Sequence, residues 1–250
     1  LAEAFRQQGL PYEFWFINED TLDLNTTPPE GVFYNRMSAS SHTRDHRYAI
    51  ELAEPVVAWL EQHGRRVVNG RHALTLEVRK AEQCLALQAS GIPVPDTVVA
   101  NNYRDLIQQA AHFPHKPFLV KPNRGGKGAG VQLFQDAEDL RQQLSQGQAG
   151  IASLDGIMLL QQYASPASGH IVRLEFIGGQ FYYAVQVDAS GGFELCPADQ
   201  CEPGEAAAAQ AASPGSNGFR ILKDYQDAAI PRYEEFLARN GIEVGAIEYT

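Results

Sequence analysis

Residues 118–134, FLVKPNRGGKGAGVQLF, place four glycines and two lysines between two short apolar runs. Lys121 precedes the glycines and Lys127 lies among them. Glycines let backbone N–H groups approach an anion closely, and a lysine adds a fixed positive charge, so this stretch is suited to holding a phosphate group. A flexible hairpin turn that uses glycine for positive φ is the alternative, and the stretch alone leaves both interpretations open.

Two common phosphate-binding loops do not fit these residues. A Walker A loop needs Ser or Thr after its lysine, and Lys127 is followed by Gly128. A Rossmann loop leads from a strand into a helix, whereas these glycines lead into the strand-like VQLF, with no helix expected before Asp136. We therefore expect the loop to join two antiparallel strands.

The composition favours a small anionic ligand over nucleic acid. The 250-residue chain has a formal net charge of −10 and a pI near 5.1, which opposes binding to a polyphosphate backbone. No apolar run approaches the roughly 20 residues of a membrane helix, and no signal peptide is evident, so we expect no membrane partner. Cys84, Cys196 and Cys201 are too few for a disulfide framework, which predicts a cytoplasmic protein.

The segments before the glycine stretch alternate between helical and strand-like patterns, which predicts an α/β (α+β) fold. Residues 1–75 have the pattern of an open α/β domain. Helices are predicted over LAEAFRQQG and YAIELAEPVVAWLEQHG, and strands over YEFWFI, GVFYNRM and RRVVNG.

The second part of the chain begins with a single predicted helix, LTLEVRKAEQCLALQASG, followed by the extended stretch IPVPDTVVA. Gly178 and Gly179 predict the turn of a hairpin. Further strands are predicted over PFLV, GVQLF, IMLLQQY, HIVRLEFI, QFYYAVQVD and VGAIEYT, and helices over YRDLIQQAAHF, DAEDLRQQLSQ and AIPRYEEFLARNG. The low-complexity stretch GEAAAAQAASPGSNG predicts a mobile loop.

In this order, the segments resemble the ATP-grasp ligases, above all the RimK-type α-L-glutamate ligases. The resemblance covers about 180 residues and is carried by VNG (68–70), Lys80, GIPVPDT (91–97), FLVKP (118–122), the glycine loop, LLQQY (159–163) and VRLEFIGG (172–179). It implies an ATP-grasp domain over 76–250, with a lid subdomain at about 96–160, after an N-terminal pre-ATP-grasp domain over 1–75. The sequence begins at Leu1 with a predicted helix and no strand before it, so we expect the first strand of that domain to be missing.

The resemblance also implies that ATP lies between two subdomains. Lys80 and Lys121 would bind its α- and β-phosphates, and an ordinary lysine pKa near 10.4 would keep both charged. The loop would donate backbone N–H groups to the β- and γ-phosphates, with added charge from Lys127. The implied loop residues are Gly125, Gly126, Gly128 and Gly130. The implied adenine-binding residues on the hinge strand are Gln161, Gln162 and Tyr163, and the ribose contact is left open among Ser165, Ser168 and His170.

By the same resemblance, Arg173 is the catalytic residue that holds a carboxylate or acyl phosphate, although a cross-strand ion pair is its alternative role. Glu248 is the implied Mg²⁺ ligand, and Glu175 is expected either to pair with Arg173 or to help at the metal. The second metal motif of the family, Glu-x-Asn or Asp-x-Asn, would fall after Thr250. We therefore interpret the sequence as part of a longer ligase.

The implied reaction joins a small-molecule carboxylate and an amine, such as an amino acid or a peptide, through an acyl phosphate. Arg36 is the candidate for substrate binding at the end of an N-terminal strand, where Arg44 and Arg47 also lie, and Arg220 is the candidate after the low-complexity stretch. A solvated polar loop is the alternative for residues 35–47. A non-catalytic ATP-binding module and a small-molecule kinase remain alternative functions, and homo-oligomerisation is left open.

Overall fold

The computed structural model describes residues 1–18, 21–126, 128–147, 151, 153–166, 169–188 and 219–250. Several predictions made from the sequence concern residues outside these ranges. They are the charge contributed by Lys127, the roles of Cys196 and Cys201, the possible ribose contact of Ser168, and the mobile loop over 204–218. These predictions remain untested.

Helices and strands are both abundant, which confirms the predicted mixed class. The strands are β1 (Val32–Tyr34), β2 (Arg66–Val68), β3 (Thr97–Ala100), β4 (Phe118–Pro122), β5 (Gln132–Phe134), β6 (Met158–Gln162), β7 (His170–Ile177), β8 (Gln180–Asp188), β9 (Phe219–Leu222) and β10 (Val244–Tyr249). The helices are α1 (Ala2–Gln7), α2 (Ala49–Gln62), α3 (Arg71–Val78), α4 (Lys80–Ala89), α5 (Tyr103–His112), α6 (Ala137–Ser145) and α7 (Ile230–Arg239), with a 3₁₀ helix over Ser41–Arg44. None of the helices in the described ranges is long and apolar enough to cross a membrane.

The strands form three sheets. Strands β1 and β2 pair in parallel near the N-terminus. A central antiparallel sheet has the order β3-β6-β4-β5, and a C-terminal antiparallel sheet has the order β10-β7-β8-β9. The glycine loop joins β4 to β5, and the turn at Gly178 and Gly179 joins β7 to β8, so both predicted strand–turn–strand arrangements are confirmed.

Each sheet packs against helices through an apolar face. The central sheet buries Phe118, Val120 and Leu160 completely, and α5 and α6 cover them with Leu106 and Leu140. The C-terminal sheet packs on α7, and the N-terminal strands pack on α2. Helix α3 contributes Leu74 and Val78 to the N-terminal core and Leu76 to the C-terminal core. This helix therefore joins the two cores across the predicted domain boundary at residue 75.

The single helix predicted over LTLEVRKAEQCLALQASG is wrong, because the chain forms two helices that meet at Arg79. Arg79 has an extended backbone, with φ −113° and ψ 103°, and its guanidinium donates to Glu54 Oε1 at 2.6 Å. The helical pattern of the sequence continues through this residue, so the break follows from contacts with distant parts of the chain.

The strand predicted over YEFWFI is also wrong, because residues 12–17 form no strand. Phe14 and Phe16 are 65% and 72% exposed and stack on each other, with ring centroids 5.8 Å apart. Trp15 packs against Phe33, and Ile17 lies against the N-terminal core. Aromatic residues favour strands only where a neighbouring strand can pair with their backbone, and β1 pairs with β2 instead.

Asn69 docks the N-terminal part of the chain onto the C-terminal sheet. It has a left-handed backbone with φ 55°, and its side-chain amide donates to the carbonyl of Val244 at 2.7 Å. Its Oδ1 accepts from the N–H groups of Glu243 and Val244 at 2.9 and 3.1 Å. Arg66 on β2 adds an ion pair with Glu243. The VNG segment thus positions β10, which carries Glu248.

We expect Asn69→Ala to lower the free energy of unfolding by about 2–3 kcal/mol. The change leaves two backbone N–H groups without their acceptor, and alanine tolerates the left-handed backbone less well than asparagine. Urea denaturation followed by circular dichroism would measure the effect. Asn101→Ala, at an exposed position, serves as the control and should change stability by less than about 0.5 kcal/mol. Equal stability of the two variants would contradict the docking role.

Candidate functional site

Lys80 is the first residue of α4, and Asn123 holds the start of this helix. The carbonyl of Asn123 accepts from the backbone N–H of Lys80 at 3.1 Å, and its Oδ1 accepts from the N–H of Ala81 at 2.9 Å. These are N–H groups that a helix cannot satisfy internally. Because Asn123 satisfies them from outside, a new helix can begin directly after the break at Arg79.

Asn123 is itself fixed by a second set of hydrogen bonds. Its amide donates to Asp155 Oδ2 at 2.7 Å, and its N–H donates to the carbonyl of Ile157 at 3.0 Å. Asp155 also accepts from Ser153 Oγ at 2.8 Å. Burial alone would raise the pKa of Asp155, but the hydrogen bonds from Asn123, Ser153 and its own turn lower it. Asp155 therefore stays charged and fixes Asn123.

Lys121 lies on β4, in the middle of the central sheet and opposite Leu159 of β6. Lys80 and Lys121 are only partly accessible to solvent. Burial lowers the pKa of Lys121. Burial, followed by repulsion from Lys121, lowers the pKa of Lys80 to about 8. The structure thus brings the two predicted phosphate-binding lysines together, but it corrects the expectation that their pKa values are unperturbed.

The glycine loop contacts Lys80 through Gly125. The ammonium of Lys80 donates to the carbonyl of Gly125. A Cβ at Gly126 would lie 3.1 Å from Cβ of Ser40, so this close approach to the N-terminal turn favours glycine. Gly130 has φ +75° and lies against Pro122, which also favours glycine. Of the predicted loop residues, Gly125 therefore contacts Lys80, whereas Gly126 lies against Ser40 and Gly130 against Pro122.

Arg124 is a residue of this loop that the sequence reasoning missed. It is 7% exposed, and its guanidinium pairs with Glu51 on α2 and donates to the carbonyl of Arg47 at 3.1 Å. The hydrogen bond to Arg124 lowers the pKa of Glu51. The only local signal is an arginine beside the first glycine, since its partners lie more than 70 residues earlier in the chain.

The side chains of the predicted hinge make contacts within the protein. Gln161 is buried, and its amide donates to Thr97 Oγ1 at 2.7 Å across the β3–β6 pair. The N–H of Gln162 donates to the carbonyl of Asp96 at 2.8 Å, and its Oε1 accepts from the N–H of Asp96. Tyr163 follows β6 and is half-buried. These contacts fix the hinge strand, and the predicted adenine contacts remain predictions.

Arg173 on β7 binds two carboxylates of the C-terminal sheet. Its Nε donates to Glu175 Oε1 at 2.6 Å, and its Nη1 donates to Glu248 Oε1 at 2.7 Å, with Glu248 directly opposite on β10. Burial alone would lower the pKa of Arg173, but these two hydrogen bonds raise it. The predicted cross-strand pair is therefore present in the structure.

Glu175 and Glu248 are also the carboxylates that were predicted for Mg²⁺. In the described part of the chain, no group of three or more His, Cys, Asp or Glu side chains is placed to hold a metal ion. Mg²⁺ commonly uses only one or two carboxylates and completes its coordination with phosphate oxygens and water. Two carboxylates held on one guanidinium fit that requirement.

Glu77 is a second residue that the sequence reasoning missed. It lies on α3, where its Oε1 accepts from the N–H of Ala39 at 3.4 Å. Burial raises the pKa of Glu77, while the charges of Lys80 and Arg173 oppose that rise. Glu77 therefore lies within electrostatic reach of both Lys80 and Arg173.

The two arginines that were predicted to bind substrate are both exposed. Arg36 is exposed, and its guanidinium lies over the ring of Tyr34, 5.8 Å from the centroid. Arg220 is exposed on β9, opposite Gln186, and lines an open depression of about 620 Å³ together with residues 221–226. Their predicted roles in substrate binding remain predictions.

Comparison with known proteins agrees with this arrangement. A family model of the RimK-like ATP-grasp domain matches residues 78–195. Residues 78–195 are thus similar to a RimK-like ATP-grasp domain. The crystal structure of a RimK domain ATP-grasp protein from Sphaerobacter thermophilus superposes with a TM-score of 0.66 over 98% of this chain and 78% of that protein, at 19% identity. The predicted ATP-grasp fold is thereby confirmed.

Curated relatives of this domain carry ligase and synthase names. β-Citrylglutamate synthase B of Danio rerio is 30% identical over 128 residues, which are 50% of this chain and 30% of that protein. A probable α-L-glutamate ligase of Stenotrophomonas maltophilia is 28% identical over 140 residues, 55% of this chain and 46% of that protein. The chain thus aligns with less than half the length of either relative.

We expect Lys121→Met to weaken ATP binding roughly tenfold to a hundredfold, because a hydrogen bond to a charged phosphate is lost. The domain should stay folded, since removal of a poorly solvated ammonium costs little stability. Isothermal titration calorimetry with ATP and Mg²⁺ would measure the affinity. Lys116→Met, at an exposed position five residues earlier, should bind like the wild type. Unchanged affinity in the Lys121 variant would refute its assignment to the ATP site.

The pKa of Lys80 predicts how ATP affinity depends on pH. Because this pKa is lowered to about 8 from 10.5, Lys80 loses its proton and charge as the pH rises above 8. We expect ATP affinity to fall by up to about tenfold per pH unit above pH 8, where the charge of ATP no longer changes. Lys80→Arg should flatten this decline, since arginine stays protonated. A flat wild-type profile up to pH 10 would contradict the prediction.

Proposed function

We propose that this protein is an ATP-dependent carboxylate–amine ligase. In the proposed reaction, ATP phosphorylates a substrate carboxylate, an amine displaces the phosphate from the acyl phosphate, and an amide or peptide bond forms with release of ADP and phosphate. We further expect a cytoplasmic protein that acts on small molecules or peptides. The ligase names of the curated relatives support this class of reaction.

The observation that carries the proposal is the convergence of Lys80, Lys121 and the glycine loop. The two lysines come from a helix start and a sheet strand, and the loop covers the first of them. Two cations that are poorly solvated and close together favour a bound polyanion, because the anion restores the electrostatic stabilisation that water would otherwise give. A triphosphate matches this requirement.

The lysines would act by electrostatic stabilisation and positioning. Phosphoryl transfer needs the charge on the transferred group to be neutralised while the acceptor oxygen is aligned, and no side-chain nucleophile is required. Lys80 donates a hydrogen bond to the carbonyl of Gly125. ATP binding would replace this carbonyl with a phosphate oxygen and free the loop to pack over the nucleotide.

Arg173 would hold the substrate carboxylate or its acyl phosphate. A planar guanidinium on a strand presents two donors to a carboxylate in fixed geometry, as Arg173 already does toward Glu175 and Glu248. Glu175 and Glu248 would hold Mg²⁺. When bound, Mg²⁺ would neutralise negative charge on the phosphates.

The names of the relatives suggest which substrates to test first. Two of them join glutamate to another acid, according to the names β-citrylglutamate synthase B and N-acetylaspartylglutamate synthase A. We therefore propose an amino acid such as glutamate as the amine, and a small di- or tricarboxylic acid as the acid. Because the chain is acidic overall, few other positively charged surfaces would compete with the site for a small anion.

The test is ADP release by the purified protein with ATP, Mg²⁺ and pairwise combinations of carboxylates and amines. We expect turnover that requires both substrates, together with a new amide detected by mass spectrometry. Binding of ATP without turnover would favour a nucleotide-binding module, and turnover that needs one acceptor alone would favour a kinase. Either of these results would refute the ligase proposal.

A further inference from the structure

The glycine loop meets the N-terminal part of the chain at an interface that the nucleotide does not account for. We call this contact the turn–loop interface, formed by residues 38–47 on one side and by Arg124 and Gly126 on the other. Gly126 lies against Ser40, and the guanidinium of Arg124 donates to the carbonyl of Arg47. The turn is closed by its own hydrogen bonds, including that from Thr43 Oγ1 to the carbonyl of Ser40 at 2.9 Å.

Two buried polar atoms at this interface have no hydrogen-bond partner among the described residues. They are the hydroxyl oxygen of Ser41, a residue that is 4% exposed, and Nε of Arg124. A buried polar group without a partner costs about 1–3 kcal/mol, and such groups are rare in folded proteins. Both atoms can donate a hydrogen bond. An acceptor that reached both of them would therefore be stabilised at this position.

The charges around the turn favour a negative acceptor. The pKa of His42 is lowered first by burial and then by the positive charges of Arg124, Arg44 and Lys80. The nearest carboxylates are already engaged, since Glu51 pairs with Arg124 and Glu77 accepts from the N–H of Ala39. Solvent reaches the interface beside Arg44, which is exposed and donates to Ser40 Oγ at 3.1 Å.

We propose that the turn–loop interface is a subsite for an oxyanion of the acid substrate, held by the hydroxyl of Ser41 and Nε of Arg124 and attracted by Arg44. This inference rests on the proposed ligase function. It names the ligand class as a carboxylate other than the one that is phosphorylated, and so predicts an acid with at least two carboxylates. The glycine loop would move away from Ser40 to admit the ligand.

The directions of neighbouring groups favour a substrate carboxylate over a phosphate of ATP. The carbonyl of Gly125 faces Lys80, whereas the side chain of Arg124 faces α2 and the turn. Gly125 and Arg124 thus contact different groups, although Lys80 lies near enough to the turn to lower the pKa of His42. The proposed nucleotide contact is with Lys80, which leaves the side chain of Arg124 for the second substrate.

Equilibrium titration without nucleotide tests the subsite independently of turnover. The probes are citrate, L-aspartate and L-glutamate at millimolar concentrations, with acetate as a monocarboxylate reference and ATP titrated separately. We expect Ser41→Ala and Arg124→Lys each to weaken binding of the preferred polycarboxylate roughly tenfold, and Ser41→Ala to leave ATP affinity unchanged. Ser145→Ala, at an exposed serine bonded to Gln142, is the matched control and should bind like the wild type.

Ser41→Ala removes only an unpaired hydroxyl, so its melting temperature should equal or exceed that of the wild type, and Arg124→Lys retains the charge beside Glu51. Weaker ATP binding with unchanged carboxylate binding would assign the subsite to the nucleotide and overturn the proposal. Wild-type binding of every probe by both variants, or no polycarboxylate binding by the wild type, would also overturn it. A protein that binds the polycarboxylate through Ser41 but shows no ligation would instead refute the ligase function alone.

Discussion

The hydrogen bonds of Asn123 set the geometry on which the candidate site depends. Lys121 lies on β4 two residues before Asn123, and Asn123 accepts from the backbone N–H groups that begin α4 at Lys80. One buried residue therefore ties the strand lysine to the helix lysine. The other anchor of Asn123, the carboxylate of Asp155, comes from the loop before β6. Strand β4, the start of α4 and the loop before β6 thus meet at Asn123. This meeting point sets the separation of Lys80 and Lys121.

This geometry carries an electrostatic cost. Burial and mutual repulsion both disfavour the charged form of Lys80, and its pKa falls to about 8. The carbonyl of Gly125 compensates in part by accepting from the ammonium. The backbone positions of both lysines are fixed, since α4 packs on the C-terminal core and Lys121 lies in the sheet. Sites that bind ligands often retain such local strain, because the ligand relieves it.

Local sequence signals predicted the parts of the fold that depend on local contacts. The turn at Gly178 and Gly179 and the antiparallel strands around the glycine loop were predictable because glycine and alternating apolar residues determine them within a few positions. The break at Arg79 and the roles of Asn123 and Arg124 were not. Asn123 contacts Ala81 across 42 positions, and Arg124 contacts Glu51 across 73. Such contacts leave no periodic signal, so only the folded chain reveals them.

An acidic chain that binds a polyanion must keep its own carboxylates from repelling it. Glu175 and Glu248 lie on the C-terminal sheet, within reach of the same site through Glu77 and Arg173. Unpaired, these glutamates would oppose any phosphate nearby. Arg173 offsets part of their charge and binds one oxygen of each carboxylate. Under the proposed function, this pairing would let the C-terminal sheet tolerate a polyphosphate while keeping both carboxylates together as ligands for Mg²⁺.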